Sequence, residues 1–224
     1  MTTIPTSIPD RDLRQRGLVP PEALATCRAA VIGVGAIGRQ VALQLAAMGV
    51  AWLQLIDHDT VEAVNLAPQG YFESDLGHAK VEATGALCRK LNSQVDLHLT
   101  KERFRRSMPE IGDVVFCCVD SIETRRLIWE SVRDRVRFWC DGRVSAEVLR
   151  VLTAADSTSR RHYPTTLFAA GEAFRGACTA KSTVYCANIA AGLMVAQFAK
   201  WLRHLPVDAD LTLNLLAGEW SVSA

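Results

Sequence analysis

The chain has 224 residues, of which 49% are hydrophobic and 22% charged, with a formal net charge of +1. That length suits one large α/β domain with a sizeable core, and the balanced charge argues against a nucleic-acid footprint or an acidic tail. No apolar stretch approaches the ~20 residues of a membrane span, and residues 1–10 (MTTIPTSIPD) lack the basic start and apolar core of a secretory leader. A cytoplasmic protein with no membrane and no nucleic-acid partner is expected. The seven cysteines (27, 88, 117, 118, 140, 178 and 186) include no C-x-x-C pair. The expectation is therefore no zinc, with most thiols buried as small hydrophobes.

Residues 1–28, rich in Pro and Arg, read as an arm and a short helix ahead of the fold. A strand is predicted over Ala29–Gly33, a helix from about Ala36 to Met48, and a second strand in WLQLID ending at Asp57. A loop carrying HDTVEAVNLAPQGYF comes next, then a helix over Ala79–Asn92 with Val81, Thr84, Leu87 and Leu91 on one face. VDLHL alternates as a strand does, and the apolar run DVVFCCV reads as a strand buried on both faces, leading into a helix at about Ser121–Asp134. Strands are predicted at Phe138–Cys140 and Val148–Leu152. Residues 154–181 form a polar stretch without clear periodicity, and a loop of that length is usually functional. Ser182 is a candidate cap for an Ala-rich helix running to about Leu202, and LTLNLL with the last residues suggests a hairpin around AGEW. The predicted fold is α/β, a Rossmann-like mostly parallel sheet flanked by helices, with additional C-terminal antiparallel strands.

The segment VIGVGAIGRQ sets Gly33, Gly35 and Gly38 as G-x-G-x-x-G between a strand and a helix. Such a turn lets a phosphate approach the backbone at Gly33, Gly35, Ala36, Ile37 and Gly38, beside the positive end of the helix. Asp57 ends the second strand 24 positions after Gly33, which suits a carboxylate on ribose hydroxyls. The same pattern is compatible with a glycine turn kept for helix–strand packing, or with a dinucleotide oxidoreductase. The residues beyond it favour a triphosphate: a second acid at Asp59, then Asn65 and Gln69, Lys80 at a helix start, and Asp120 after the CCV strand. Lys neutralises phosphate charge and Asp holds a hard cation such as Mg²⁺, neither of which hydride transfer requires.

With GVGAIG, D-H-D-x-V-x-x-x-N-L, the G-x-x-K of Gly77–Lys80 and CCVDSIETR, the chain resembles the ThiF/MoeB/ubiquitin-activating superfamily over roughly residues 11–203. The resemblance implies that residues 29–224 form a single adenylation domain. It implies ATP binding, adenylation of the C-terminal glycine of a ubiquitin-like protein with release of pyrophosphate, and a homodimer. It further implies onward transfer to a cysteine, to a conjugating enzyme, or into sulfur-carrier activation for cofactor biosynthesis. Carried over residue by residue, Asp57 binds ribose, Asn65, Gln69 and Lys80 contact phosphates, and Asp120 holds magnesium. Arg14-Gln15 matches the family's arm that reaches across the dimer to the partner's ATP. Cys178, near Arg175 and Lys181 in the long loop, is the candidate for a covalent intermediate, while Cys186 reads as core.

Each assignment has a plainer counterpart. Asp120 with Glu123 is also a helix N-cap pattern, Lys80 a solvated helix lysine, Arg14 part of a solvated charge run, and Cys178 an inert thiol. Three departures from the family stand out: N-L-x-R-Q reads N-L-A-P-Q, so the expected phosphate-binding Arg is Pro68; the zinc cysteine pairs are absent from these 224 residues; and the large catalytic-cysteine and ubiquitin-fold domains of the eukaryotic enzymes, for which 224 residues have no room, are not expected. Arg39, just after the glycine turn, is the candidate to supply the lost charge. The competing readings are a non-catalytic nucleotide-binding adaptor and an NAD-dependent oxidoreductase.

Overall fold

The computed structural model describes residues 11–108, 110–168 and 183–223. Its frame is an eight-stranded sheet in the order β3-β2-β1-β4-β5-β6-β7-β8. Strands β1 (Arg28–Ile32), β2 (Trp52–Ile56), β3 (Asp96–Thr100), β4 (Val114–Cys117) and β5 (Phe138–Ser145) pair in parallel. Strands β6 (Val148–Ala154), β7 (Asp210–Asn214) and β8 (Glu219–Ser223) extend the sheet antiparallel from β5. The fold class is the expected one, Rossmann-like with C-terminal antiparallel strands.

Helices cover both faces, so the central strands carry no polar side. In β1, Ala29 and Val31 enter one core cluster while Ala30 and Ile32 enter the other, the pattern of a parallel strand buried twice over. The first cluster lies under α2 (Ala36–Met48), α4 (Lys80–Leu91) and α7 (Val184–Leu202). The second lies under α5 (Ile122–Val132) and α6 (Ser157–His162), where the rings of Trp129, Trp139 and Tyr163 stand 4.8–5.4 Å apart. All of Val114–Cys117 is buried, as DVVFCCV predicts.

Several elements differ from expectation. The 154–181 stretch is not structureless where described: β6 runs to Ala154, α6 follows, and a 3₁₀ turn spans Tyr163–Thr166. Asp156 caps α6 by accepting the Thr158 and Ser159 N–H groups, and Arg160 donates to the Arg133 and Val136 carbonyls at the end of α5. The NLAPQ segment, read as loop, forms α3 (Ala63–Gln69) with Pro68 inside it. In α4 the buried face includes Val81, Thr84, Gly85 and Cys88 rather than extending to Leu91, which is exposed in the last turn. α7 is capped by Thr183, whose hydroxyl accepts the Cys186 N–H; Ser182 lies outside the described residues. α1 (Pro21–Ala25) is the short helix of the arm. Among the described residues no helix is long and apolar enough to cross a membrane.

Candidate functional site

The chain leaves β1 toward β2 and β3 on one side and returns to β4 on the other. The crevice beyond the strand ends at such a switch point is where open α/β sheets bind ligands. Three chain ends line up there. Ile32 is in register with Ile56 and with Cys117, the Gly33 N–H donates to the Ile56 carbonyl at 2.9 Å, and the Cys118 N–H donates to the Ile32 carbonyl at 2.8 Å.

The glycine turn is fixed by close approach. Gly33 has φ +86°, and a Cβ on Gly38 would stand 1.8 Å from the Gly33 carbonyl oxygen, so the first turn of α2 meets the strand only with glycine in place. Between them Val34 is held on both polar groups: its N–H donates to Asp57 Oδ2 at 2.6 Å, and its carbonyl accepts from the Tyr71 hydroxyl at 2.6 Å. Gly35 caps α2 without a side chain, leaving the helix's first amides to other partners. Ile37 packs into the core, so any ligand there meets its backbone.

From the turn, the predicted residues connect in sequence. Asp57 Oδ1 accepts the Asp59 N–H at 2.9 Å, and Asp59 Oδ2 accepts from Lys80 Nζ at 3.0 Å. Lys80 is 5% exposed, which removes the solvated-lysine reading. It opens α4, and its own N–H donates to the Asp59 carbonyl. Together His58, Asp59, Thr60, Glu62, Asn65 and Lys80 line a concavity of about 280 Å³. Asn65 Oδ1 accepts the Glu62 N–H at the start of α3, and its amide nitrogen has no hydrogen-bond partner among the described residues. At the other end of α3, the Gln69 amide lies over the turn: a Cβ on Gly35 would stand 3.9 Å from Gln69 Oε1, which is buried without a hydrogen-bond partner.

Asp120 lies two residues past Cys118, exposed, with no hydrogen bond or ion pair among the described residues. The helix-cap alternative does not hold, because the cap of α5 is Ser121, whose hydroxyl accepts the Thr124 N–H at 3.3 Å. The Asp120 carboxylate thus stays available to a cation. Asp57, His58 and Asp59 also offer ligand atoms within 4.8 Å of one another. There, however, Asp57 is occupied by two backbone amides and Asp59 by Lys80.

Arg125, unassigned from the sequence although inside CCVDSIETR, fixes the backbone ahead of Asp120. Its guanidinium pairs with the fully buried Asp141 and donates to the Val119 and Gly142 carbonyls. Arg143 Nε and the Tyr163 hydroxyl complete the shell of Asp141 at 2.9 and 3.0 Å. Burial is the main cause lowering the Arg125 pKa, as it is for Arg39. Tyr71 was the other residue the sequence did not single out; its one signal was an aromatic inside a polar segment.

The arm docks elsewhere. Arg11 donates to the Ala46 and Ala47 carbonyls and Gln15 to the Met48 carbonyl, at the C-terminal end of α2. The glycine turn is at the opposite end, roughly 20 Å away by helix rise. Arg14 is exposed and makes no hydrogen bond or ion pair with the described residues, so it does not join the site of its own chain. Cys178 lies outside the described residues. Cys186 is fully buried, as expected. Burial pushes the thiols of Cys117 and Cys118 up and that of Cys88 to about 12, away from the reactive thiolate.

A glycine turn, a strand-end acid and a buried lysine at the switch point of a mostly parallel sheet define a Rossmann-like nucleotide-binding architecture. The chain belongs to the ThiF family, whose family model matches residues 10–218. It is 37% identical over 110 residues to adenylyltransferase and sulfurtransferase MOCS3 of Mus musculus, covering 47% of this chain and 24% of that protein. It is 29% identical over 150 residues to ubiquitin-like modifier-activating enzyme 5 of Xenopus laevis, covering 59% and 38%. The chain therefore spans well under half of these curated relatives. Its fold is similar to crystalline E. coli MccB with AMPCPP and MccA, at TM-score 0.71 and 19% identity over 90% of this chain and 64% of that one. It is also similar to crystalline PaaA, at TM-score 0.73 and 19% identity over 95% and 68%.

Proposed function

We propose that the chain is an ATP-dependent adenylyltransferase that activates the C-terminal carboxylate of a small ubiquitin-like protein ending in glycine. The observation that carries this reading is the chain of contacts from the glycine turn through Asp57 and Asp59 to the buried Lys80. It supports reading Asp57 as the ribose acid and Lys80 as a desolvated cation for the phosphates, with Asp120, which has no hydrogen bond or ion pair among the described residues, past the end of β4. The adenylyltransferase named among the relatives, and the MccB structure with AMPCPP, support the nucleotide and the chemistry.

In this reading one carboxylate oxygen of the partner's terminal glycine attacks the α-phosphorus of ATP. A new acyl C(=O)O–P bond forms, the bond from the α-phosphorus to the bridging oxygen breaks, and pyrophosphate departs with the electron pair. The nucleophile is already ionised, so no general base is needed; catalysis is positioning and charge neutralisation. Asp57 orients the ribose, the first amides of α2 and the Gln69 and Asn65 amide groups hold phosphate oxygens, and Lys80 offsets the developing negative charge. Asp120 would hold Mg²⁺, which supplies charge neutralisation of the leaving pyrophosphate. Because the arm lies far from its own glycine turn, a role for Arg14 requires a second copy, and a homodimer with exchanged arms fits that geometry. The acyl group then passes to the thiolate of Cys178, to a thiolate of a conjugating enzyme, or to a sulfur donor: the new acyl C–S bond forms as the acyl C–O bond to phosphorus breaks, and AMP leaves with the electron pair.

Calorimetric titration separates this from the oxidoreductase reading. The protein is expected to bind Mg²⁺–ATP and to lose that affinity in Lys80→Ala, with no saturable binding of NAD. Saturable NAD binding without ATP binding would overturn the assignment.

A further inference from the structure

Arg39 is the fourth residue of α2, 4% exposed, and forms no ion pair and no hydrogen bond through its guanidinium with the described residues. Its Nε is buried without a partner. The guanidinium carbon stands 5.0 Å from the centre of the Tyr71 ring and 5.8 Å from that of Phe72. Asp75, whose charge acts on Arg39, spends a carboxylate oxygen on the Phe72 N–H at 2.9 Å. Stacking on two rings orients a guanidinium, but it does not replace the hydrogen bonds lost on burial, and a buried cation without an anion is an uncompensated cost.

The position of the guanidinium suggests what compensates it. A Cβ on Gly70 would stand 3.4 Å from Arg39 Nη1, and the preceding residue, Gln69, lies over Gly35. The consecutive residues Gln69 and Gly70 thus both face the first turn of α2. Arg39 and the Gln69 side chain, whose Nε2 would stand 4.0 Å from a Cβ on Gly35, flank the helix start, which has no side-chain cap, in the space two glycines leave clear of side chains. The family's expected arginine would stand at Pro68, two residues before the Gly70 that Arg39 Nη1 approaches.

We infer that Arg39 is a phosphate-binding residue, its guanidinium, with the Gln69 Nε2 group beside it, holding oxygens of the nucleotide's phosphoryl chain and so replacing the cation absent at position 68. This rests on the nucleotide reading above. Planar and aromatic-stacked, the guanidinium presents two parallel N–H groups to one phosphate, a fork that Lys cannot reproduce.

The test titrates wild type, Arg39→Gln and Arg39→Lys with ATP, inorganic tripolyphosphate and adenosine. Loss of a charge-assisted hydrogen-bond donor is expected to weaken ATP and tripolyphosphate binding roughly 10- to 100-fold in Arg39→Gln, with adenosine unchanged. Arg39→Lys keeps the charge and protects against a folding failure; it is expected to lose part of the ATP affinity and none of the adenosine affinity. Ligand-free Arg39→Gln is expected to melt no lower than wild type, since it removes a buried charge that has no ion pair among the described residues. Equal losses for ATP and adenosine together with a lowered melting temperature would make Arg39 structural and overturn the inference. Unchanged ATP affinity in Arg39→Gln would overturn it while leaving the nucleotide reading standing. Wild type that binds tripolyphosphate in an Arg39-dependent way but not ATP would keep the anion site and remove the nucleotide.

Discussion

Asp57 accepts the Val34 N–H at 2.6 Å, and that single bond makes the strand-end acid part of the glycine turn rather than a neighbour of it. The same carboxylate takes the Asp59 N–H, so the strand-end acid, the turn and the Lys80 partner share one hydrogen-bonded unit. Tyr71 closes it from the other side by donating to the Val34 carbonyl.

Tyr71→Phe tests that unit. It leaves the buried Val34 carbonyl without its donor, which costs about 1–3 kcal/mol. Denaturant unfolding is expected to report that loss together with weaker ATP binding, although Tyr71 itself is assigned no ligand contact. Full stability in this variant would show that the turn holds its shape without the tyrosine.

The Asp141 network predicts a larger effect. Arg125 and Arg143 share this one fully buried carboxylate, so Asp141→Asn leaves guanidinium charge uncompensated. Breaking a buried pair from one side costs about 3–5 kcal/mol. Urea unfolding is expected to show a loss of that order, larger than for Glu130→Gln, which removes only the exposed pair with Arg106.

Acid stability has a nameable contributor. Burial pushes the Asp210 carboxyl up, but hydrogen bonds from Arg150 and His162, with their charges, outweigh it and hold the pKa below the ordinary range. A depressed carboxyl stabilises the fold above its unfolded pKa, about 3.9, and that contribution is lost as pH falls through the lower folded value. Wild type is therefore expected to exceed Asp210→Asn in stability at neutral pH, with the gap narrowing below about pH 4. A gap that stays constant down to acid pH would rule out this linkage.

The exchanged-arm dimer is tested by mixing two dead chains. Arg14→Ala and Asp120→Ala are each expected to lose adenylation, and hybrid dimers to regain it in part, because one of their sites has both residues. Confirmed hybrids without activity would remove Arg14 from the mechanism.

What the sequence made legible follows from how local each signal is. The glycine turn, Asp57 and the start of α4 at Lys80 are specified within a few residues, and they stand where expected. α3 was hidden because Pro68 removes a helical donor and the helix has only seven residues, with no apolar stripe. α6 was hidden because six polar residues form a helix held by the Asp156 cap and the Arg160 contacts with α5, neither of which leaves a periodic signal. Arg39 was visible as a charge. Its burial depends on Tyr71 and Phe72, more than thirty positions away, and no local pattern reports that. The Asp120 reading turned on one residue of offset, since a cap at Ser121 frees the preceding carboxylate.

The account rests most directly on which bond of ATP is broken, and product analysis answers that. Protein, Mg²⁺–ATP and a ubiquitin-like partner with a free terminal glycine are incubated with labelled pyrophosphate, and label entering ATP is measured alongside the nucleotides formed. The account predicts exchange into ATP that requires the free terminal carboxylate, is lost when that carboxylate is amidated, and is lost in Asp120→Ala with the fold intact. Exchange that survives amidation or Asp120→Ala, or turnover that yields ADP and orthophosphate instead of pyrophosphate, would contradict it.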